Sequence, residues 1–487
     1  MERQESFGEC LQRMLNENGM SASEAARLVG FRSRNSMFRI LAGETSWEVD
    51  ARFLAALREG IGTKWSDACW RELDTALRIK RLGMEQYLSN LAFLRVIHDM
   101  QEQREYMVNA QQPDGRMLPL RQVLTELCAD AEALEVILCG CCDRDLMTLL
   151  AQCLGEAGDQ GRLSVRHYID VRNEALVGNI LGVLPLMTKV WYNARLVEED
   201  RCPAEMAALY RVSAIFVCRR EKNTAPVWHQ MIRYDDVHFV QLVASGPRNP
   251  IVELLDTWRF QLELLKPLVR PGDGPEAFVD YTEQCDQLEQ ECMILSVKPD
   301  IHFNCVPADM LYQSIMEGFE QAGIASGPEL LTLLEQLQRI HESRYSNVFR
   351  KHRPTHLVYS LPAMERFMRT GVQADQFFIQ RAYTPEERRR LIRELYEQMQ
   401  ENPFFHVHFL REGLPEMRNE VTFYEGKGVL LLDAFTGYDL HDDHSEALIT
   451  LPAFMESFRT FFMDELLQRL VMTRAETQAA LERLMAM

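Results

Sequence analysis

Four arginines (Arg27, Arg32, Arg34 and Arg39) and no acid lie between positions 27 and 39 of a 487-residue chain whose formal net charge is −19. Acid has been kept off one short stretch. Arginine and asparagine at the start of a helix pair bidentately with guanine and adenine edges in a major groove, while serines and backbone amides hold phosphates. Arg34, Asn35 and Arg39 are therefore candidates for base or phosphate contacts, with Arg32 and Ser33 on the nucleic-acid backbone. The plainer reading of the same residues is a solvated basic face on a helical hairpin.

Other clusters could carry chemistry. Cys139 to Cys142 read CGCC, but adjacent cysteines are poorly spaced for one tetrahedral ion, and small thiols packed under a sheet explain them better. Cys142, if exposed, could sense oxidants. His406 and His408 alternate along a predicted strand, and His441 and His444 flank two aspartates. Nothing in the sequence brings those two pairs together, so no metal is expected. A P-loop, a GxGxxG turn, a GxSxG elbow and an HExxH helix are all missing from the sequence. The expectation is no catalytic residues, no cofactor and no enzyme.

The elements that would position the arginines are marked by caps. Ser21 with Glu24, and Ser6 with Glu9, have the spacing of capping boxes, and Gly19, Gly30 and Gly43 are helix stops. The spacing predicts helices over 7–18, over 21–30 and from Ser33 to Gly43. A fourth runs from Trp47 to about Glu59 behind Ser46. Residues 7–60 resemble the lambda-repressor-like, or XRE-type, helix-turn-helix domain. The matching positions are Leu11, Leu15, Gly19, Ala26, Gly30, Arg39 and Gly43; Ala22 and Leu41 depart from the family's usual glutamine and glutamate. That resemblance implies a five-helix bundle whose third helix enters the major groove.

Length and charge bound the remainder. Residues 1–60 hold 8 Arg or Lys and 9 Asp or Glu, so the acidity belongs to the rest of the chain. Any contact with nucleic acid must be local. The 12 dispersed cysteines, the lack of a signal peptide and the lack of a long apolar run predict a cytoplasmic protein away from membranes. The pattern stays helical from Trp65 to Gln111, interrupted near Gly83, and Pro113 to Gly115 reads as a linker. Strands then alternate with helices, beginning with Leu134–Cys139, Asp145–Gly155 and Leu163–Ile169. A helix is expected over 251–266. A second α/β round of similar length begins at Cys292, without a sequence repeat that proves duplication. Residues 404–470 resemble the phospholipase D-like sensor domains of some sugar-responsive regulators. None of the twelve histidines stands two residues before a lysine, so that resemblance implies a pocket that binds rather than cleaves.

The fold class expected is multidomain: an all-α N-terminal helix-turn-helix bundle (1–62), a helical connector (63–112), and a large α/β regulatory region in two lobes (113–290 and 291–487). The function expected is a sequence-specific DNA-binding transcription regulator, homodimeric on double-stranded DNA, with a small-molecule effector. The alternatives are a scaffold that does not bind DNA, and a nucleotide or phosphoester enzyme with a targeting helix-turn-helix.

Overall fold

The structure is a computed structural model. It describes residues 5–31, 34–98, 100, 104–109, 116–129, 131–170, 176–187, 189–197, 213–222, 224–256, 260–261, 265–269, 275–324, 327–374, 380–415, 417, 419–434 and 444–487. The chain divides into two compact units, Met1–Leu88 and Ser89–Met487.

Local signals build the first unit. Ser6 Oγ accepts from the Glu9 amide and Glu9 answers by accepting from the Ser6 amide, which starts α1 (Phe7–Glu17). Ser21 and Glu24 start α2 (Ala22–Leu28) in the same way. Gly30 takes a φ of +74°, the left-handed conformation that lets so short a helix stop. Then follow α3 (Arg34–Leu41), α4 (Trp47–Ile61) and α5 (Asp67–Leu82). A Cβ on Gly8 would stand 2.2 Å from the Leu41 carbonyl oxygen, so glycine is what lets α1 lie against the end of α3.

Residues 63–82 belong to this helical body. Trp65, Trp70, Leu73 and Ala76 are buried in one core with Phe7, Leu11, Leu15, Met37, Ile40 and Leu57. Arg13 of α1 pairs with Glu72 of α5 at 2.8 Å. Buried Asp50 accepts from Lys80 at 2.6 Å and from Thr45, which ties α4 to α5. The apolar spacing over Trp65–Ala76 is a core stripe, and it is that burial that takes the segment out of the role of a spacer.

The helix α6 (Met84–Ile97) contains the division between Leu88 and Ser89 and ends earlier than the expected helix to Gln111. Tyr106 and Val108 are buried on alternate positions, and β1 (Met107–Asn109) forms there instead. Residues 113–115, expected as a linker, lie outside the described residues.

Two mixed sheets make up the second unit. The first has the order β2-β1-β8-β7-β6-β3-β4-β5-β9 and the second β10-β16-β15-β14-β11-β12-β13. The first sheet's strands are β1, β2 (Met117–Pro119), β3 (Ala133–Cys139), β4 (Leu163–Asp170), β5 (Tyr192–Val197), β6 (Ala214–Arg220), β7 (Val227–Arg233), β8 (His238–Ser245) and β9 (Phe260–Gln261). The second holds β10 (Leu265–Val269), β11 (Ile294–Lys298), β12 (Thr355–Tyr359), β13 (Phe405–Phe409), β14 (Glu420–Tyr424), β15 (Gly428–Ala434) and β16 (His444–Ile449).

The sheets repeat one arrangement. β3, β4 and β5 run parallel, and β6, β7 and β8 run antiparallel on the far side of β3. β11 through β16 copy this with every direction kept. The repeat escapes the sequence because it lies in strand order. The helix expected over 251–266 is corrected: it spans only Pro250–Asp256, and β9 and β10 follow it. β10 contains Pro267 and lies at the sheet's edge, where a residue without an N–H is tolerated.

Both sheets turn one face to a shared apolar core. Val136 and Leu138 of β3, Val165 of β4, Leu295 and Val297 of β11 and Val358 of β12 all enter it, with Phe93, Phe454, Phe458, Phe461 and Phe462. A second core covers the outer face of the second sheet, under the helices Ala308–Gln321, Pro328–Val348, Leu361–Thr370 and Pro385–Glu401. Among the described residues no helix is long and apolar enough to cross a membrane.

Asp50→Ala leaves Lys80 and Thr45 facing an empty carboxylate position. It is expected to lower the stability of the first unit by about 3 kcal/mol, read as a shifted urea midpoint and as earlier hydrogen exchange of α4 and α5.

Candidate functional site

β11 is buried at every residue. Its alternation sends Leu295 and Val297 into the shared core and leaves Ser296 and Lys298 on the outer face. β14 pairs with it antiparallel, Ser296 opposite Thr422, and so sets Glu420, Thr422 and Tyr424 on that same face. The result is a polar ladder across two central strands. Ser296 and Thr422 share a 2.7 Å hydrogen bond, Thr422 donates to Glu420 at 3.2 Å, and Lys298 pairs with Glu420.

The turn after β11 and two helices close over the ladder. His302 Nε2 stands 3.3 Å from Glu420 Oε2, and His302 Nδ1 accepts from the Asn304 amide at 3.1 Å. The ring proton therefore sits on Nε2, near the carboxylate but outside hydrogen-bond geometry with it. From the helix Pro275–Glu291, Glu289 accepts from Asn304 at 2.8 Å and from Arg344 of the helix Pro328–Val348 at 2.8 and 3.1 Å. Arg344 also lies over the Phe303 ring.

Burial sets the protonation states. It holds His302 well below the ordinary histidine range, with Lys298 and Arg344 adding to the effect. It lowers His341 to about 4, although the Val306 carbonyl favours that ring's charged form. Both imidazoles are neutral.

Ser296, Lys298, His302, Asn304, Arg344 and Glu420 line a cavity of about 20 Å³, room for one water. Asn304 Oδ1, Arg344 Nη1 and Glu420 Oε2 are buried there and make no hydrogen bond. Buried polar atoms are nearly always paired, so three orphans around one space mark a place for a further group. The cavity lies on the outer face of the second sheet, over β11 and β14, with Glu289 and Arg344 of the helices Pro275–Glu291 and Pro328–Val348 closing it.

The residues singled out from sequence fall elsewhere. Arg32 and Ser33 lie outside the described residues. Arg34 opens α3, Asn35 is exposed on it, and Arg39 is exposed and 3.9 Å from Glu44. Cys139 and Cys141 are buried and Cys142 is half-buried at the end of β3. His406 and His408 share a face of β13 as expected. They meet His356 of β12, whose Nδ1 is 3.2 Å from His408 Nε2 and whose ring stacks on His406 at 4.3 Å. His441 is outside the described residues, and among those described no group of three His, Cys, Asp or Glu is placed to hold a metal. Lys298, His302, Glu289, Arg344 and Glu420 went unnoticed in the sequence. One signal was present: charged residues in or beside two predicted strands.

No protein-family model matches the sequence, and no curated protein does. The chain is similar to a solved phosphatidylserine synthase from Haemophilus influenzae at 11% identity, over 81% of this chain and 97% of that one, with a TM-score of 0.25. It is also similar to a polyphosphate kinase from Porphyromonas gingivalis at 10% identity, over 69% of this chain and 46% of that one, with a TM-score of 0.18. The expectation of a DNA-binding XRE-type transcription regulator that is not an enzyme is corrected to this extent: neither match is to a DNA-binding regulator, and both are to proteins named as enzymes. The likeness is too loose to transfer either activity.

Two outcomes follow from the geometry. Glu289→Gln leaves Arg344 buried without its counter-charge and is expected to destabilise the second unit by about 3 to 5 kcal/mol. The double variant Glu289→Gln, Arg344→Met should be less harmful than the two single losses added together, as measured by a urea double-mutant cycle.

The histidine trio gives a pH dependence. Burial lowers His356 to about 3 and His408 to about 4, from an ordinary 6.5. The unfolded chain takes protons first, so the trio's contribution is complete above pH 6.5 and is lost as the pH falls toward 4. A His408→Gln variant should lose about 2 kcal/mol less than the parent between pH 7 and pH 4 in chemical denaturation.

Proposed function

We propose that this chain is a phosphoester enzyme whose site is the polar cavity of the second sheet. The observation that carries the reading is Glu420. One oxygen holds Lys298 and the other, buried beside space for one water, accepts no hydrogen bond. A water seated there would be oriented by that oxygen, which could take its proton as it attacks.

The neighbours suit a phosphoryl centre. Lys298 and the unpaired Arg344 Nη1 would neutralise charge on the transferring group. His302, neutral and protonated on Nε2, would offer a donor to a group seated in the cavity and would not act as a base. Each cation has an acid for a partner and the space holds one water, so a phosphate must widen the cavity as it draws Lys298 toward itself and frees Glu420 for the water. The resemblance of residues 404–470 to phospholipase D-like domains is compatible with phosphoester chemistry. The missing His-x-Lys pair means that any hydrolysis must proceed through this water and not through a histidine nucleophile. The helical first unit would serve to recruit the enzyme.

Purified full-length protein should release nitrophenolate from bis(p-nitrophenyl) phosphate or from p-nitrophenyl phosphate. Glu420→Gln is expected to slow release about 100-fold, and Lys298→Met by at least as much, with circular dichroism unchanged. Release by Glu420→Gln at the parent's rate, or no release from either compound by folded parent protein, would sink the assignment.

A further inference from the structure

A second set of reactive groups meets in the first sheet, away from Glu420. β3 ends at Cys139, and Cys142 follows three residues later, the place in the repeat that the turn bearing His302 occupies after β11. Parallel pairing sets His167 of β4 opposite Leu138 of β3. Tyr192 is the first residue of β5, which pairs parallel with β4. These registers bring Cys142 Sγ to 4.0 Å from His167 Nε2 and put His167 Nδ1 at 2.9 Å from the Tyr192 hydroxyl. Nucleophile, base and a third group that orients the base is the arrangement of an activated thiol.

We propose that Cys142 is a nucleophilic thiol site for small hydroperoxides, with His167 as its base and Tyr192 as the positioning residue for His167. The arrangement works in the tautomer whose Nδ1–H donates to the Tyr192 oxygen, which leaves the Nε2 lone pair facing the thiol. The sulfur attacks one peroxide oxygen, the S–O bond forms and the O–O bond breaks. His167 takes the thiol proton and returns it to the departing oxygen. Cysteine becomes sulfenic acid as the peroxide is reduced to water or an alcohol.

Three observations support the assignment. Burial keeps the His167 imidazole neutral, its pKa lowered to about 3, so the ring passes the thiol proton on within the step and does not hold it as an imidazolium. Cys142 is half-buried against the shared apolar core, where a charged electrophile would be stripped of water and a small neutral peroxide would not. The thiol's loop is also held fast: a Cβ on Gly182 would stand 1.7 Å from the Cys142 carbonyl oxygen, so the helix Leu176–Gly182 lies directly on it. Other thiols are passivated by burial, which pushes Cys10 and Cys128 up to about 11 and Cys141 up to about 12.

The test is treatment of the full-length protein with hydrogen peroxide in the presence of dimedone, with adducts mapped by peptide mass spectrometry. Cys142 should label at least tenfold faster than Cys69, Cys128 or Cys153. His167→Gln should slow its labelling tenfold or more. Tyr192→Phe, which keeps the ring and removes only the hydroxyl, should change the pH profile of labelling while the thermal midpoint stays near the parent's, and it decides the matter if His167→Gln does not fold. Labelling led by another cysteine, or a Tyr192→Phe profile that overlays the parent's, would overturn the proposal.

Discussion

Phe93 touches Phe454, Phe458 and Phe461 at ring-centroid distances of 5.1 to 5.4 Å, and this aromatic contact sits in the one apolar core that both sheets share. Much of the second unit depends on it. Each sheet could bury its outer face under its own helices, but the inner faces of β3 and β11 have only this core to keep them from water. The hydrophobic term scales with the area removed from water, so the sheets are stable as a pair. Residues as distant as 93 and 461 are thereby joined early and late in the chain. Long-range pairing of this kind raises the entropy of closure before any contact rewards it.

That constraint explains how so polar a ladder can stand in the middle of a sheet. Lys298 and Glu420 are both nearly inaccessible to water, and a buried pair is tolerated only when the remaining lone pairs and protons find partners. Here the pairing is almost complete: Thr422 donates to Glu420, the Asn304 amide donates to His302, and Glu289 accepts from Asn304 and Arg344. It stops short at three atoms that face one small space. Rigid neighbours hold those atoms in place, which is what preorganised donors and acceptors require.

The repeat gives the molecule two comparable positions, one after β3 and one after β11, and the sequence has filled them differently. The turn after β11 carries His302 and Asn304 above a lysine and an acid; the turn after β3 carries cysteines beside a buried histidine. Sheet architecture places chemistry at strand ends but does not dictate which chemistry.

What the sequence by itself determined is local. Capping boxes at Ser6 and Ser21 started the helices where the side chains reach the amide three residues on, and Gly19 and Gly30 ended them in the left-handed conformation that glycine adopts freely. The alternation of His406 and His408 on one face of β13 was legible for the same reason, since a strand's period depends on neighbouring residues alone. Tertiary structure decided everything that required distant residues to meet. Lys298 and Glu420 are 122 positions apart, and only the β11–β14 register makes them a pair. Trp65 and Trp70 read as part of a spacer until α5 packed on α1, and the six-strand repeat lies in an order of strands that no short window of sequence contains. The physical reason is common to all three: periodicity and caps are set by bonds a few residues long, while a site is set by which faces the folded chain must hide from water.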